Sequence, residues 1–445
     1  MVSFFKSALF KKISLNAGIL ASGSVISSLI GLISFTLIAR VLGSELFGVL
    51  ALVQAYALIV DKLLNFQSWQ ALIKYGSELV VNKEISDFKD LLKFGFALDV
   101  FTAILATLVG FSFSFIIGYF LGWADDKTNL ASLFSIVILF NIQGTPTAIL
   151  RIYDDFKHFS ISSVSGAVLK LALVFIGFIF GYGIWYFVIV TMISQITGYI
   201  YLLTSSILLL RRKKIYLNSC PTLDEIRCIP TRFKGIWSFI WTTNFHGTVR
   251  MMTLNLDIII VDSMLGSAAT GLYQIAKQFA KIFTQVSQPL YKSIYPELTK
   301  LWATKRIFEF KNVVKQFSFL SFCFGATTLL GFIICGKYII LWTVGAEYLE
   351  GLPTLLWYLS GVLVSMTAFP ITPAVLAMGF PKLSFKALLF STILYFVCFF
   401  VLVSLKGVIG AGVSYLLLYV FWSGIMIIFY FKYLKSILAV GSSVP

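Results

Sequence analysis

Four cations lie near the centres of long apolar stretches of this sequence: Lys170, Arg250, Lys277 and Lys281. A charged side chain at the centre of a bilayer costs about 2.5–3.5 kcal/mol even on the most permissive insertion scale, so four that face lipid would cost about 10 kcal/mol or more. We therefore expect these side chains to face water, a partner or a substrate. Together they favour an anion such as a lipid phosphate or pyrophosphate, which lysine binds as a point charge and arginine as a bidentate donor.

Polar residues at helical spacing accompany these cations in two neighbouring stretches. The first stretch carries His246, Arg250, Thr253 and Asp257, and the second carries Lys277, Lys281, Gln285 and Gln288. Spacings of three and four residues place each set on one face of a helix. We predict that the substrate-binding residues of a cationic cavity are Lys170, Arg250, Lys277, Lys281, His246, Gln285 and Gln288. The alternative is a set of structural ion pairs between helices and lysines that reach the membrane surface.

Three carboxylates could serve these cations or bind a coupling ion. Asp257 shares a helix face with Arg250, and Asp61 belongs to a thinner polar stripe formed by Gln54, Asp61, Asn65 and Ser68. Asp99 lies near the start of a further apolar stretch. Asp257, Asp61 and Asp99 are therefore candidates for binding H⁺ or Na⁺, with plain counter-ions as the alternative.

The composition places these residues in an integral membrane protein. Hydrophobic residues make up 59% of the chain and charged residues only 12%, whereas soluble domains contain roughly 25% charged residues. The apolar stretches fit helical spans rather than the ~10-residue strands of an outer-membrane barrel. We predict an all-α fold with twelve transmembrane helices, at about 17–39, 46–65, 94–121, 130–149, 160–181, 184–210, 236–261, 268–291, 316–336, 353–377, 387–405 and 408–430.

A repeated motif divides these helices into two sets of six. The pattern LGSxxxG occurs at Leu42–Gly48 and again at Leu265–Gly271, an offset of 223 in a chain of 445 residues. Such a repeat is typical of a duplicated helical bundle. We predict an N-terminal bundle at 1–210, a basic cytoplasmic linker at 211–235 and a C-terminal bundle at 236–445, with a pseudo-two-fold axis along the membrane normal. Between the second and third spans, apolar spacing from Trp69 to Val80 predicts a helix in the membrane interface.

The distribution of Lys and Arg predicts the orientation of the chain. The N-terminus and every second loop after it together hold 26 of the 35 Lys and Arg residues. The loops on the opposite side of the membrane hold only Arg40, Lys127, Lys337 and Lys406. Because short cytoplasmic loops are positively charged, both termini are expected in the cytoplasm. The net charge of +16 then reflects topology and contact with anionic membrane lipids, and no nucleic-acid partner is expected.

No motif in the sequence predicts catalysis. It contains no Walker loop, dinucleotide fingerprint or paired-histidine zinc motif, and its five cysteines and two histidines have no zinc-ligand spacing. We expect no cofactor, no metal site and no enzymatic activity. Prolines at Gly144–Pro146 and Phe369–Pro373 interrupt spans four and ten, where lost hydrogen bonds allow kinks.

Four stretches in order along the chain resemble the polysaccharide flippases of the multidrug/oligosaccharidyl-lipid/polysaccharide exporter (MOP) superfamily. They are Ala39–Gly43 with Phe47–Gly48, Leu256–Asp257 to Leu265–Gly266 with Gly271–Tyr273, Tyr295–Leu298, and Gly345–Tyr348. The resemblance implies a multi-pass protein of the bacterial inner membrane that moves an undecaprenyl-pyrophosphate-linked oligosaccharide by alternating access, for O-antigen or capsule synthesis. It also implies a polysaccharide polymerase and a chain-length regulator as partners.

Two other functions remain open at this stage. The first is a multidrug exporter of the same superfamily, although four buried cations suit organic cations poorly. The second is a membrane-embedded polysaccharide polymerase or ligase, for which a large outer loop with acid and base residues would be expected.

Overall fold

The computed structural model describes the backbone of residues 8–66, 68–217 and 223–441. These ranges form helices and short connections without any β-strand, so the predicted all-α class is confirmed. The helices are α1 (Ala8–Leu64), α2 (Trp69–Val81), α3 (Ile85–Leu121), α4 (Asp125–Ser135), α5 (Gly144–Ile152), α6 (Lys157–Phe180), α7 (Ile184–Arg212), α8 (Leu223–Arg232), α9 (Ile236–Leu265), α10 (Ser267–Ala303), α11 (Ile307–Thr343), α12 (Leu352–Ala368), α13 (Ile371–Ala377), α14 (Pro381–Lys406) and α15 (Val408–Gly441). Two 3₁₀ turns, Ile136–Phe140 and Ala346–Gly351, precede α5 and α12.

Nine helical segments of the described ranges are long and apolar enough to cross a membrane. The first of them, Ser22–Leu64, has 43 residues and is about 65 Å long at 1.5 Å per residue. The hydrocarbon layer of a bilayer is about 30 Å thick, so this segment is long enough to cross it twice. Gly43 divides the two spans with a non-helical conformation at φ 68° and ψ 176°. Helices α9 and α10, which carry the two predicted polar stripes, are not among the nine. The chain is therefore a multi-pass membrane protein, and the total of twelve spans stays a prediction.

Two predicted spans are discontinuous in the structure. Span four consists of α4, the 3₁₀ turn Ile136–Phe140, three connecting residues and α5, which begins at Gly144. Span ten ends as α12 at Ala368 and resumes as α13 at Ile371. Both breaks lie at the prolines that predicted kinks, since proline cannot donate the helical hydrogen bond. Broken transmembrane helices commonly line substrate or ion sites, where the freed backbone groups find polar partners.

The contacts of the chain define two compact units. Unit 1 contains the described residues up to Leu42 together with Val49–Ile259, and unit 2 contains Gly43–Gly48 together with the described residues from Ile260 onwards. The boundary falls inside α9. The division into bundles at 1–210 and 236–445 therefore remains a prediction about the duplicated sequence rather than a description of these units.

Each unit has its own apolar core. The core of unit 1 includes the inner face of α2, where Ala71 and Leu72 are buried against Phe88 and Leu92 of α3. The predicted helix after span two is thus confirmed as a helix, with its apolar face packed on protein. In unit 2 the core forms around Phe310, Ala374, Met426 and Tyr430.

Candidate functional site

The predicted cations lie on three helices. Lys170 is half-buried on α6 in unit 1, whereas Lys277 and Lys281 lie one turn apart on α10 in unit 2. The Lys277 Nζ is 5.7 Å from the centroid of the Tyr273 ring, within the range of a cation–π contact. Lys281 is exposed.

The other members of the predicted cationic cavity lie on α9 and α10, but their side chains fall outside the described part of the chain. They are His246, Arg250, Gln285 and Gln288. The cationic cavity therefore stays a prediction.

A second group of polar side chains, in unit 1, forms a hydrogen-bonded network that we call the carboxylate cluster. It joins the end of α1, the middle of α3 and the break in span four. All of its members except Asn141 are buried. The cluster consists of Asp61, Asn65, Ser68, Asp99, Thr102, Asn141 and Thr145.

Asp99 acts as a cap for α5 from outside that helix. Its Oδ2 accepts hydrogen bonds from the backbone N of Thr145 at 2.6 Å and from the Thr145 Oγ1 at 2.7 Å. Its Oδ1 accepts a third bond, at 2.6 Å, from the Ser68 Oγ. The first N–H groups of a helix have no partner within the helix and carry its positive dipole end, so a carboxylate here stabilises the restart of span four.

Gly144 allows this close approach. A Cβ at Gly144 would lie 2.3 Å from the Ser68 Oγ and 2.5 Å from the Asp99 Oδ1. Neither distance is possible for a real side chain, so only glycine leaves room for the carboxylate at the start of α5.

Asp61 is the centre of the other half of the carboxylate cluster. Its Oδ1 accepts hydrogen bonds from the Nδ2 atoms of Asn65 at 2.9 Å and Asn141 at 2.8 Å, and its Oδ2 lies 2.8 Å from the Lys62 Nζ. Asn65 also donates to the carbonyl of Asn141 at 3.1 Å and accepts from the Thr102 Oγ1 at 3.2 Å. The freed backbone at the break in span four thus finds its partner in this network.

A cavity of about 150 Å³ adjoins Asp61. Its polar lining comes from α1, α7 and the break in span four and consists of Gln54, Asp61, Asn141, Gln195 and Tyr199. A cavity needs only about 10–15 Å³ to hold one water, so this space accommodates a monovalent cation with part of its hydration. Carboxylate and amide oxygens are suitable ligands for such a cation, and the carboxylate can equally take a proton.

Asp257, the third predicted carboxylate, lies on α9 and is 2% exposed. Its Oδ1 accepts a hydrogen bond from the backbone N of Ile258 at 2.9 Å. The structure brings Asp61 and Asp99 into one network through Thr102, whose Oγ1 lies within hydrogen-bond distance of the Asn65 Oδ1 (3.2 Å) and of the backbone carbonyl of Asp99 (3.3 Å). Sequence reasoning missed Asn141 and Thr145 of the network and Gln195 and Tyr199 of the cavity lining, since folding rather than spacing on one helix brings these residues to the site.

The two LGSxxxG copies contact each other reciprocally within unit 2. A Cβ at Gly48 would lie 1.8 Å from the carbonyl oxygen of Ser267, and a Cβ at Gly271 would lie 2.0 Å from the carbonyl oxygen of Ser44. Because Ser267 and Gly271 are the second-copy counterparts of Ser44 and Gly48, each motif packs its last glycine on the serine of the other.

The remaining motif glycines turn the chain. Gly43 and Gly266 have φ angles of 68° and 85°, a region that side chains disfavour. In the first copy, the Glu347 Oε1 accepts hydrogen bonds from the backbone N and Oγ of Ser44 at 2.7 and 2.6 Å. In the second, the Ser267 Oγ donates to the Asp262 Oδ1 at 2.8 Å. Two stretches of the sequence resemblance, around Gly43 and Glu347, are thus in direct contact.

Known proteins with solved structures share this fold. An inward-facing multidrug resistance MATE family transporter of the MOP superfamily aligns with a TM-score of 0.67 at 11% identity, covering 96% of both chains. The lipid II flippase MurJ in an inward closed conformation aligns with a TM-score of 0.67 at 16% identity, covering 92% of this chain and 86% of that one. At such identities the likeness concerns the fold, which confirms the architecture expected from the sequence resemblance.

Sequence comparison extends this likeness to a family. The Inner membrane protein YghQ of Escherichia coli (strain K12) is 29% identical over 351 residues, which are 78% of this chain and 96% of that protein. Residues 13–302 match the family described as polysaccharide biosynthesis protein, which is more than half of the chain. The protein therefore belongs to the polysaccharide biosynthesis protein family and has the fold of the MOP superfamily transporters.

Proposed function

We propose that this protein is a flippase that moves an undecaprenyl-pyrophosphate-linked oligosaccharide across the bacterial inner membrane for surface polysaccharide synthesis. The match of residues 13–302 to a polysaccharide biosynthesis family is the observation that carries the proposal. The fold shared with a lipid II flippase supports it, as does the likeness to a protein named as an inner membrane protein. Both termini lie in the cytoplasm in this proposal, as the Lys and Arg distribution indicates.

The intramembrane cations are assigned to the anionic head of the substrate. Lys170, Arg250, Lys277 and Lys281, assisted by His246, Gln285 and Gln288, bind the pyrophosphate and the first sugars while the lipid tail stays in the bilayer. Such charges are stable inside a membrane only when they face water, a partner or a ligand. Lys281 is exposed on α10, so its ammonium group is accessible to an anion.

The carboxylate cluster is assigned to ion coupling, with distinct roles for its two acids. Asp99 has three protein donors and positions the start of α5, whereas Asp61 borders a polar cavity. We therefore assign the exchange of H⁺ or Na⁺ to Asp61 and a positioning role to Asp99. We assign Asp257 the role of a counter-ion for the cationic cavity.

The experiment for the cationic cavity uses cells whose surface polysaccharide depends on this protein. Arg250→Ala or Lys281→Ala at normal expression abolishes the polymer and leaves its lipid-linked precursor on the inner leaflet. Lys337→Ala, which removes an exposed cation of α11, retains normal polymer and is the matched control. Normal polymer levels in both cavity variants would exclude the cationic cavity.

A second experiment measures transport directly. The protein is reconstituted in liposomes with a defined lipid-linked oligosaccharide, and transfer between leaflets is followed under imposed H⁺ or Na⁺ gradients. One gradient accelerates transfer by the wild type, and Asp61→Asn removes that response while leaving gradient-independent exchange. Export of organic cations without lipid transfer would instead identify a multidrug exporter, and elongation of the oligosaccharide would identify a polymerase or ligase.

A further inference from the structure

An apolar groove of about 410 Å³ lies on unit 1, and it shares no lining residue with the cavity beside Asp61. Phe96 and Val100 of α3 form one wall, and Leu203 and Ile207 of α7 form the other. The volume is within the roughly 300–1,000 Å³ of ligand sites in proteins. Since α3 and α7 are both candidate membrane spans, the groove runs along a surface suited to a hydrocarbon chain.

One end of the groove is cationic. Arg211, in the last turn of α7, and Tyr216, just after that helix, are the polar members of its lining. Both side chains are exposed, and Arg211 takes part in no ion pair that the described part of the chain forms. Arg212, Lys213 and Lys214 follow directly but do not line the groove, so Arg211 is the cation of this site.

We propose that the groove is a binding site for an anionic phospholipid. An acyl chain lies between α3 and α7, and the phosphate accepts hydrogen bonds from the Arg211 guanidinium and the Tyr216 hydroxyl. Basic pockets at the end of transmembrane helices attract anionic head groups with about 1 kcal/mol for each nearby Arg or Lys. The site therefore selects an anionic head group at its cationic end and an acyl chain along its apolar walls.

The lining favours a phospholipid over the lipid-linked sugar substrate. Apart from Arg211 and Tyr216 the lining is apolar, so it offers no hydrogen-bond partners for an oligosaccharide. A sugar chain taken from water into such a groove would lose hydrogen bonds without replacement, which costs about 1–3 kcal/mol for each buried hydroxyl. A small phosphate head that remains at the aqueous end has no such cost.

The test measures lipid binding to the purified full-length protein by native mass spectrometry. Phosphatidylglycerol and phosphatidylcholine with identical acyl chains are titrated separately. Phosphatidylglycerol binds the first site about fivefold more tightly, the factor that corresponds to one arginine. Arg211→Gln reduces this preference to near unity, and Ile207→Trp, which fills the groove, weakens the binding of both lipids.

Arg212→Gln is the matched control, since Arg212 belongs to the same basic run but not to the groove lining. It retains the fivefold preference, and circular dichroism verifies the helical content of every variant. Equal losses in Arg211→Gln and Arg212→Gln would show general attraction to a basic surface and overturn the site. Equal binding of the two lipids by the wild type, or displacement of phosphatidylglycerol by an equimolar polyprenyl pyrophosphate, would also overturn it.

Discussion

Substitutions of Asp99 test whether this carboxylate positions the start of α5 or takes part in ion coupling. Asp99→Leu leaves the backbone N–H of Thr145 buried without its acceptor at 2.6 Å, which costs about 1–3 kcal/mol. It also removes the negative group from the N-terminus of α5, a loss of about 0.3–2 kcal/mol. The Ser68 and Thr145 hydroxyls can turn to other acceptors, so the expected destabilisation is about 2–4 kcal/mol.

Asp99→Asn has a smaller expected effect. The amide oxygen replaces Oδ2 and keeps both bonds from Thr145, while the amide nitrogen donates to the Ser68 Oγ. Only the charge interaction with the helix end is lost, so the expected destabilisation is about 1 kcal/mol. Since Asn also cannot carry a proton or balance a cation, this variant retains gradient-driven transport only if Asp99 is structural.

The assay is thermal unfolding of the detergent-solubilised protein at a fixed heating rate, because membrane proteins of this size unfold irreversibly and the midpoint then reflects a rate. Asp87→Leu is the matched control: it makes the same change on α3, where Asp87 is 45% exposed and pairs with Arg232 at 3.3 Å. Such a surface pair contributes about 0–1 kcal/mol. The capping role of Asp99 is refuted if Asp99→Leu has the same unfolding midpoint as the wild type, or if Asn and Leu at position 99 are equally destabilising.

The remaining predictions concern close approaches and one helix cap. Gly144→Ala places a methyl group against Asp99 and Ser68, and we expect a loss of folded protein similar to that of Asp99→Leu, measured by size-exclusion chromatography at equal expression. Gly48→Ala directs its Cβ at a backbone oxygen 1.8 Å away. Because a backbone oxygen cannot rotate aside, the yield of folded protein falls further than for Gly144→Ala. Gly31→Ala, with no atom within 4 Å, is the control for both variants and leaves the yield unchanged. Glu347→Ala removes two bonds to the start of the helix after Gly43, which stabilise the fold by about 1–3 kcal/mol. We expect a lower unfolding midpoint at the same heating rate, whereas Glu347→Gln loses at most half as much.

The membrane character and the helical segments could be predicted because both depend on local properties of the chain. Apolar runs longer than a bilayer is thick must be helical in lipid, since every backbone polar group then finds a partner within the segment. The proline positions also predicted the breaks at Gly144 and Pro370, because proline acts on its own helix.

The site was harder to predict, since its members meet only after folding. Asp61 and Asn65 share a helix face and were found by spacing, but Asn141 and Thr145 come from a backbone break whose polar groups needed partners. No periodic pattern marks such residues. A useful signal is the coincidence of a buried acid on one span with a Gly-Thr-Pro interruption of the next.

The reciprocal contact of the two LGSxxxG copies is the geometry of an isologous interface. When residue i of one copy touches residue j of the other and j touches i, the arrangement is that of a two-fold homodimer. The predicted duplication therefore places both sides of a symmetric contact in one chain, where the second copy of the motif takes the position of a partner subunit. The three central positions differ between the copies, Glu45–Phe47 against Ala268–Thr270, whereas Gly48 and Gly271 are shared and each leaves space for the backbone of the other copy.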